Sequence, residues 1–228
     1  MELCCSLSMI FRAFFQKKSY TIHMNIPLIE RLKKESVDIL AVSKYHTKEE
    51  IDALAKLGFT TFGENRVQEF LEKYDPNYHW HIIGHLQTNK VKYIIGKVDC
   101  IQSLDSIRLA DEIEKQAAKH DCIQNVLVQI KVSNDPNKTG LPIEDLPTFL
   151  STVSAYPHIC IKGLMCIASH TEDTQAIEEE FELVHQNFET YKKEYPTMDT
   201  LSMGMSSDYE LAIQHGSTMV RIGRALFE

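Results

Sequence analysis

The stretch Asp38-Ile39-Leu40-Ala41-Val42-Ser43-Lys44 decides how the rest of this 228-residue sequence is interpreted. Its apolar run is continuous, which is typical of a strand covered on both faces in a parallel sheet, and it predicts a buried strand over Ile39–Lys44. Lys44 then ends that strand, where α/β folds bind their ligands. Because an amine in a desolvated pocket loses proton affinity and can attack a carbonyl, the position suggests a Schiff-base lysine.

Seven further apolar runs follow along the chain, separated by amphipathic segments. One of these segments predicts a helix with Thr47 as its N-cap, Glu50 as capping-box partner and Gly58 at its end. The other predicted helices span 25–35, 66–74, 89–95, 106–120, 144–156, 173–195 and 207–215. The remaining predicted strands are Thr60–Glu64, Trp80–Gly84, Cys100–Leu104, Asn125–Val132, Cys160–Ile167, Thr200–Met205 and Met219–Gly223.

This alternation of strands and helices indicates parallel strands joined by right-handed crossovers. Eight such units predict an α/β protein with a single (β/α)8 TIM barrel. The alternative is an open doubly wound sheet, which normally carries a Gly-rich phosphate loop after its first strand. Here the sequence reads Lys44-Tyr45-His46-Thr47 instead, so we favour the closed barrel.

The bulk composition restricts the class of partner. Lys+Arg 24 against Asp+Glu 32 gives a net charge of −8, which disfavours a nucleic-acid binder. No apolar stretch is long enough to span a bilayer, so we expect no membrane partner. The six cysteines form no CxxC pair, and we interpret them as small buried hydrophobes in a reducing compartment. The sequence therefore predicts a cytoplasmic protein.

The first residues do not fit the barrel pattern. Lys17-Lys18 follows the apolar part, whereas a secretory signal places its basic residues first, and Glu2 argues against an organelle-targeting peptide. We predict that residues 1–24 are a disordered or non-native extension, with Met24 as a candidate start. Residues 25–228 are predicted to form the barrel as one domain.

Polar residues collect after the last two predicted strands, where barrels often bind phosphate. Ser206 comes where a helix begins, so its hydroxyl could serve a phosphate, and Gly223 would let a backbone N–H approach closely. Arg221 lies inside the last strand, where a charge needs an acceptor such as a pyridine nitrogen or a phosphate.

Each of these residues also has a structural interpretation. The Lys44 amine could simply extend into solvent, and Arg221 could form an ion pair with Glu64. Ser206 could serve as the N-cap of the helix and have no other role. A metal site at His79, His81 and His85 is disfavoured, because no carboxylate or cysteine completes the set. We therefore expect no metal there.

Several motifs in this order resemble the pyridoxal phosphate homeostasis proteins (the YggS/PROSC family), whose fold is like the N-terminal barrel of bacterial alanine racemases. The resemblance runs from about Asp38 to Phe227. The motifs that carry it are Ala41-Val42-Ser43-Lys44, Phe62-Gly63-Glu64-Asn65, Trp80-His81-Ile82-Ile83-Gly84-His85-Leu86-Gln87-Thr88-Asn89-Lys90, Leu201-Ser202-Met203-Gly204-Met205-Ser206 and Met219-Val220-Arg221-Ile222-Gly223.

The resemblance implies pyridoxal 5′-phosphate (PLP) as the cofactor, with Lys44 forming the Schiff base and Arg221 facing the pyridine nitrogen. It implies further cofactor contacts from Asn65, Ser206, Gly223 and Arg224. Two positions depart from the family pattern: His85 stands where many relatives have proline, and Arg224 where a small hydroxyl residue is common. The loop Gln87–Lys90 belongs to the family signature without an assigned role.

The resemblance implies a PLP carrier and regulator of vitamin B6 homeostasis, without robust catalytic activity, that passes PLP to apoenzymes. Because a complete barrel needs little further burial, we expect a monomer. The alternative is a PLP-dependent amino-acid racemase. A two-base racemase needs a second acid/base, usually a tyrosine, opposite the lysine. In alanine racemases a separate β-domain supplies it, and we expect alternation to point Tyr45 away from the pocket.

Overall fold

The computed structural model describes residues 24–133 and 139–227, which form a closed parallel barrel with strand order β1 to β8. The predicted (β/α)8 barrel is therefore confirmed, and the open sheet is excluded. The strands are β1 Asp38–Val42, β2 Thr61–Glu64, β3 His79–Ile82, β4 Cys100–Leu104, β5 Gln124–Ile130, β6 Ile159–Cys166, β7 Thr200–Ser202 and β8 Met219–Ile222. The described helices are α1 Ile26–Leu32, α2 Lys48–Lys56, α3 Val67–Lys73, α4 Ile107–Lys119, α5 Leu146–Val153, α6 Thr174–Glu194 and α7 Tyr209–Gln214, with 3-10 turns at Thr88–Tyr93, Ile143–Asp145 and Arg224–Leu226.

The barrel closes by pairing its last strand with its first. Leu40 lies opposite Arg221 and Ala41 opposite Ile222 in this parallel β1–β8 pair. Residues that are distant in the sequence thereby become neighbours at the carboxyl-end rim, which is the position that barrels use for ligands.

Local sequence signals determine where α2 begins. The backbone N–H of Glu50 donates to Thr47 Oγ1 at 3.3 Å, and the N–H of Thr47 donates to Glu50 Oε2 at 2.6 Å. This reciprocal capping box satisfies two backbone donors that the first turn leaves without partners. The predicted cap of this helix is confirmed.

Six of the eight strands end earlier than predicted, and β1 and β7 show the reason: buried residues continue beyond the hydrogen-bonded ladder. β1 ends at Val42, so Lys44 lies in the following turn rather than on the strand. β7 ends at Ser202, and Gly204 turns the chain with a φ of +92°, a conformation that favours glycine. Apolar periodicity reports burial and does not report the last ladder bond.

The core has two layers, on either side of the barrel wall. The outer layer lies between strands and helices and contains the largest buried aromatic side chains, among them Trp80, Phe62 and Phe70. The inner layer is smaller, with apolar clusters Leu40, Val42, Ile83, Met219 and Cys100, Leu127, Met165. The strands are therefore apolar on both faces, as their continuous runs predict.

The predicted extension 1–24 lies outside the described residues except for Met24, which packs against the outer core. Asn25 caps α1, since its Oδ1 accepts the N–H of Leu28 at 3.1 Å. Among the helices of the described residues, none is long and apolar enough to cross a membrane.

Candidate functional site

Barrel closure brings four strand ends together on one side of the rim. Ser206 follows β7, Gly223 follows β8, Lys44 follows β1 and Asn65 follows β2, and these four strands are consecutive around the barrel. Ser206 and Gly223 are in direct contact, because the Gly223 N–H points at Ser206 Oγ at 3.4 Å. The sequence-predicted site residues therefore converge at one location.

Lys44 lies in a turn at the rim and is half-buried rather than enclosed. Its Nζ is 5.9 Å from the ring centroid of Tyr45, whose side chain is 79% exposed. Tyr45 has a φ of +69°, so the chain reverses here and strand alternation does not govern where its ring points. Alternation therefore does not apply at Tyr45, and the expectation that its ring points away from the pocket stays a prediction.

A buried polar cluster of Ser43, Glu64 and Lys73 supports this turn from the outer side of the barrel wall. Glu64 Oε1 accepts Ser43 Oγ at 2.7 Å and Lys73 Nζ at 2.9 Å. Lys73 Nζ also donates to the carbonyl oxygen of Ser43 at 3.0 Å. The residue that precedes Lys44 is thus held through both its side chain and its carbonyl group.

Glu64 is fully buried in this cluster. Burial raises the pKa of its carboxyl, although the hydrogen bonds from Lys73 and Ser43 act in the opposite direction. Its Oε2 has no hydrogen-bond partner among the described residues. Because Glu64 pairs with Lys73, the alternative interpretation in which it pairs with Arg221 is wrong.

Arg221 points into the barrel and is only 3% exposed. Its NH1 donates to the carbonyl and hydroxyl oxygens of Ser202 at 2.8 and 2.7 Å, and its NH2 donates to the carbonyl of Cys166 at 2.7 Å. Burial lowers the pKa of the guanidinium, and the charge of Asp208 partly offsets this. Among the described residues no carboxylate lies within ion-pair distance of it, so its direct partners are the oxygen atoms of Ser202 and Cys166.

Ser206 occupies the exposed loop between β7 and α7. The interpretation of Ser206 as the cap of this helix is wrong, because Asp208 is the N-cap residue and its Oδ1 accepts the N–H of Met205 at 2.5 Å. The Ser206 hydroxyl is thereby left to face Gly223. Arg224, which begins the last 3-10 turn, is exposed.

Asn65 is half-buried after β2, and the neighbouring glycine determines where its backbone lies. A Cβ at Gly84 would come within 2.4 Å of the carbonyl oxygen of Asn65. The close approach of these two strand ends therefore requires glycine, which explains the Gly84 of the long signature motif.

The histidines around β3 have separate partners. His79 is exposed and bonded to Asp99 at 3.0 Å, whereas His85 Nδ1 lies 3.8 Å from Asp105. His81 is buried inside the barrel, and burial lowers its pKa to about 4. Within residues 24–133 and 139–227 there is no group of three or more His, Cys, Asp or Glu side chains that could hold a metal ion.

Sequence reasoning did not single out Lys73, Gln102 or Ser202, although Lys73 contacts Ser43 beside Lys44, Ser202 contacts Arg221, and Gln102 contacts Ser202. A signal existed for Gln102 and Ser202, because both are polar residues within buried apolar strands. Lys73 gave no such signal, since a lysine in the last turn of a helix is ordinary.

The barrel has relatives among known protein families. Residues 20–228 match the family described as alanine racemase, N-terminal domain. A pyridoxal phosphate homeostasis protein of Aquifex aeolicus is 41% identical over 194 residues, which cover 83% of this chain and 85% of that protein. This chain belongs to the pyridoxal phosphate homeostasis protein family. The Escherichia coli member of that family is 36% identical over 203 residues, covering 85% of this chain and 86% of its own.

Solved structures agree with this family. PipY of Synechococcus elongatus, solved with PLP bound, superposes with a TM-score of 0.82 at 32% identity, covering 88% of this chain and 98% of PipY. An alanine racemase of Clostridium difficile superposes with a TM-score of 0.72 at 17% identity and shares the fold alone. This chain covers only 55% of that racemase, so the common part is the barrel.

Proposed function

We propose that this protein binds PLP at the rim formed by β7, β8, β1 and β2 and serves intracellular PLP homeostasis as a carrier and regulator. The observation that carries the proposal is Arg221, a buried cation without a carboxylate partner among the described residues. Such a group is poorly compensated until a ligand supplies an acceptor. The relatives' name and the PLP-bound PipY structure support PLP as that ligand.

The residues present fit the parts of PLP. The Lys44 amine would form a Schiff base with the aldehyde, with loss of one water. Arg221 would donate to the pyridine nitrogen, and because a guanidinium stays protonated it would not transfer its proton there. The Ser206 hydroxyl and the Gly223 N–H, with Arg224 beside them, would receive the phosphate, and Asn65 would border the ring.

When bound, PLP supplies an electron sink for amino-acid chemistry, and Arg221 would make it a weaker one than an acidic partner. We infer a carrier rather than a racemase, because racemisation needs a second acid/base across the ring from the lysine. Tyr45 adjoins Lys44 in sequence and lies on the exposed rim. Racemisation of L-alanine at ordinary enzymatic rates would contradict this inference.

We further propose that the protein is a cytoplasmic monomer that passes PLP to apoenzymes. A closed barrel completes its own core, which supports a monomer. The four described cysteines Cys100, Cys122, Cys160 and Cys166 form no disulfide with one another, which is compatible with a reducing compartment. Sedimentation analysis with and without PLP tests the monomer, and reactivation of a PLP-dependent apoenzyme tests the transfer.

The purified protein mixed with PLP should develop the visible absorption of a Schiff base. Borohydride reduction followed by peptide mapping should place the label on Lys44. Lys44→Ala should lose the band, whereas Lys97→Ala, which removes an exposed lysine, should retain it. A label that remains on another lysine in Lys44→Ala would refute the assignment.

A further inference from the structure

A chain of hydrogen bonds crosses the barrel interior from Arg221 on β8 to His81 on β3. Arg221 NH1 donates to Ser202 Oγ at 2.7 Å, and Ser202 Oγ lies 2.8 Å from Gln102 Oε1. Gln102 Nε2 lies 2.8 Å from His81 Nδ1. Ser202 and Gln102 are fully buried, and His81 is 9% exposed.

The chemistry of the end residue determines the direction of every bond in this chain. A guanidinium has only donors, so the oxygen of Ser202 accepts from Arg221 and its proton is free for Gln102 Oε1. The amide nitrogen of Gln102 then donates to His81 Nδ1, which places the His81 proton on Nε2. Hydrogen bonds aligned in this way polarise and strengthen one another.

The chain joins strands that are not neighbours, because β4 and β7 lie on different sides of the barrel. A purely apolar interior would fill the same space, and buried polar groups are tolerated only when they are satisfied. The arrangement therefore does more than fill the barrel: it supplies a directional acceptor beneath the guanidinium.

We propose that Ser202 and Gln102 are positioning residues that orient Arg221 for the ligand, a role that rests on the proposed PLP function. The hydroxyl and carbonyl of Ser202, together with the Cys166 carbonyl, engage three of the five N–H donors of Arg221 inside the barrel. The guanidinium is thereby held in one orientation, and its remaining donors are the ones that a pyridine nitrogen can use. Gln102 acts through Ser202, and His81 anchors Gln102 as a neutral acceptor.

Substitutions along the chain test this role. PLP titrations followed by absorption should show about a ten-fold loss of affinity and a displaced absorption band in Ser202→Ala, because a hydrogen bond to a charged group is lost. Gln102→Met should change both quantities in the same direction, whereas Ser202→Thr, which keeps the hydroxyl, should resemble the wild type. Ser103→Ala is the matched control, since Ser103 is a buried serine whose hydroxyl has no partner among the described residues.

A second measurement does not depend on PLP. In the ligand-free protein labelled with 15N-arginine, the guanidinium signals of Arg221 should report hindered rotation that becomes faster in Ser202→Ala and Gln102→Met. Unchanged affinity, band and rotation in both variants, with wild-type protein that binds PLP, would overturn the positioning role alone. Failure of the wild type to bind PLP would instead overturn the proposed function, and the rotation data would still decide whether the chain orients Arg221.

Discussion

Arg221 shows how one residue can combine a packing problem with a proposed binding function. Its charge is buried, and its hydrogen-bond partners are the carbonyls of Ser202 and Cys166 and the hydroxyl of Ser202. A guanidinium is planar and has several N–H donors in fixed directions, so it can serve three acceptors at once. No other side chain has donors in this arrangement. The geometry therefore selects arginine for its shape as much as for its charge.

Replacing Arg221 with lysine should weaken PLP binding by roughly ten-fold or more, although the positive charge is kept. A compact ammonium cannot serve the acceptors on two strands and a ring nitrogen at once. The measurement is PLP affinity by absorption titration, with Arg108→Lys, at an exposed arginine on α4, as control. Equal affinity in Arg221→Lys and the wild type would show that charge alone is sufficient.

At the scale of elements, the sequence predicted well which strands and helices exist and in what order they come. It predicted less well where each strand ends. The bounds of β4 are as predicted, and Thr47 caps α2 through the expected capping box. The end of β1 was misjudged because Ser43 remains buried after the ladder stops, held by Glu64 and Lys73. Contacts such as these, between α3 and β2, arise only when the helix packs on the barrel. The local sequence pattern around Ser43 does not predict them.

The same limit applies to the candidate site. Lys44, Ser206, Arg221 and Gly223 were found because they follow or end apolar runs that the barrel gathers at one rim. The partners of Arg221 were not predicted. The sequence places both Glu64 and Arg221 near the ends of strands, so an ion pair between them was a reasonable interpretation. Only the folded barrel shows that Glu64 faces α3 while Arg221 faces the interior.

The Glu64–Lys73 pair that joins β2 and α3 gives a prediction at this scale. Lys73→Met should destabilise the protein by about 3–5 kcal/mol near pH 7, because it leaves a buried carboxylate without its partner. Burial already raises the pKa of Glu64, so protonation should relieve part of the loss as the pH falls towards 5. Denaturant unfolding at both pH values measures the effect.

Two variants sharpen that measurement. Glu64→Met combined with Lys73→Met should regain much of the stability, since an apolar pair needs no charge compensation. Lys97→Met, on the surface, should be near neutral. A Lys73→Met loss that does not vary with pH would mean that the lost contact is packing rather than charge.

For the whole molecule, the buried His81 makes stability depend on pH. Its pKa is lowered to about 4 from 6.5, so the unfolded chain binds its proton first as the pH falls. The contribution of neutral His81 to the free energy of unfolding is fully present above about pH 6.5. Roughly 3 kcal/mol of it is lost as the pH falls from 6.5 to 4.

His81→Asn keeps an acceptor near the Nδ1 position but cannot be protonated. The free energy of unfolding of this variant should therefore fall less than that of the wild type between pH 7 and pH 4.5. Chemical denaturation at several pH values tests this, with His79→Asn as the exposed control. If the free energy of unfolding fell equally with pH in the wild type and in His81→Asn, protonation of His81 would not be the cause of the loss.

The pairing of β8 with β1 also has a consequence for the order of events during synthesis. Lys44 leaves the ribosome early, whereas Arg221 and Gly223 follow only after nearly all of the described chain has been made. A nascent chain that stops before β8 has the lysine but neither the guanidinium nor the Gly223 N–H of the proposed phosphate site. We therefore expect PLP capture to require a complete β8, and a prematurely terminated chain to hold PLP poorly.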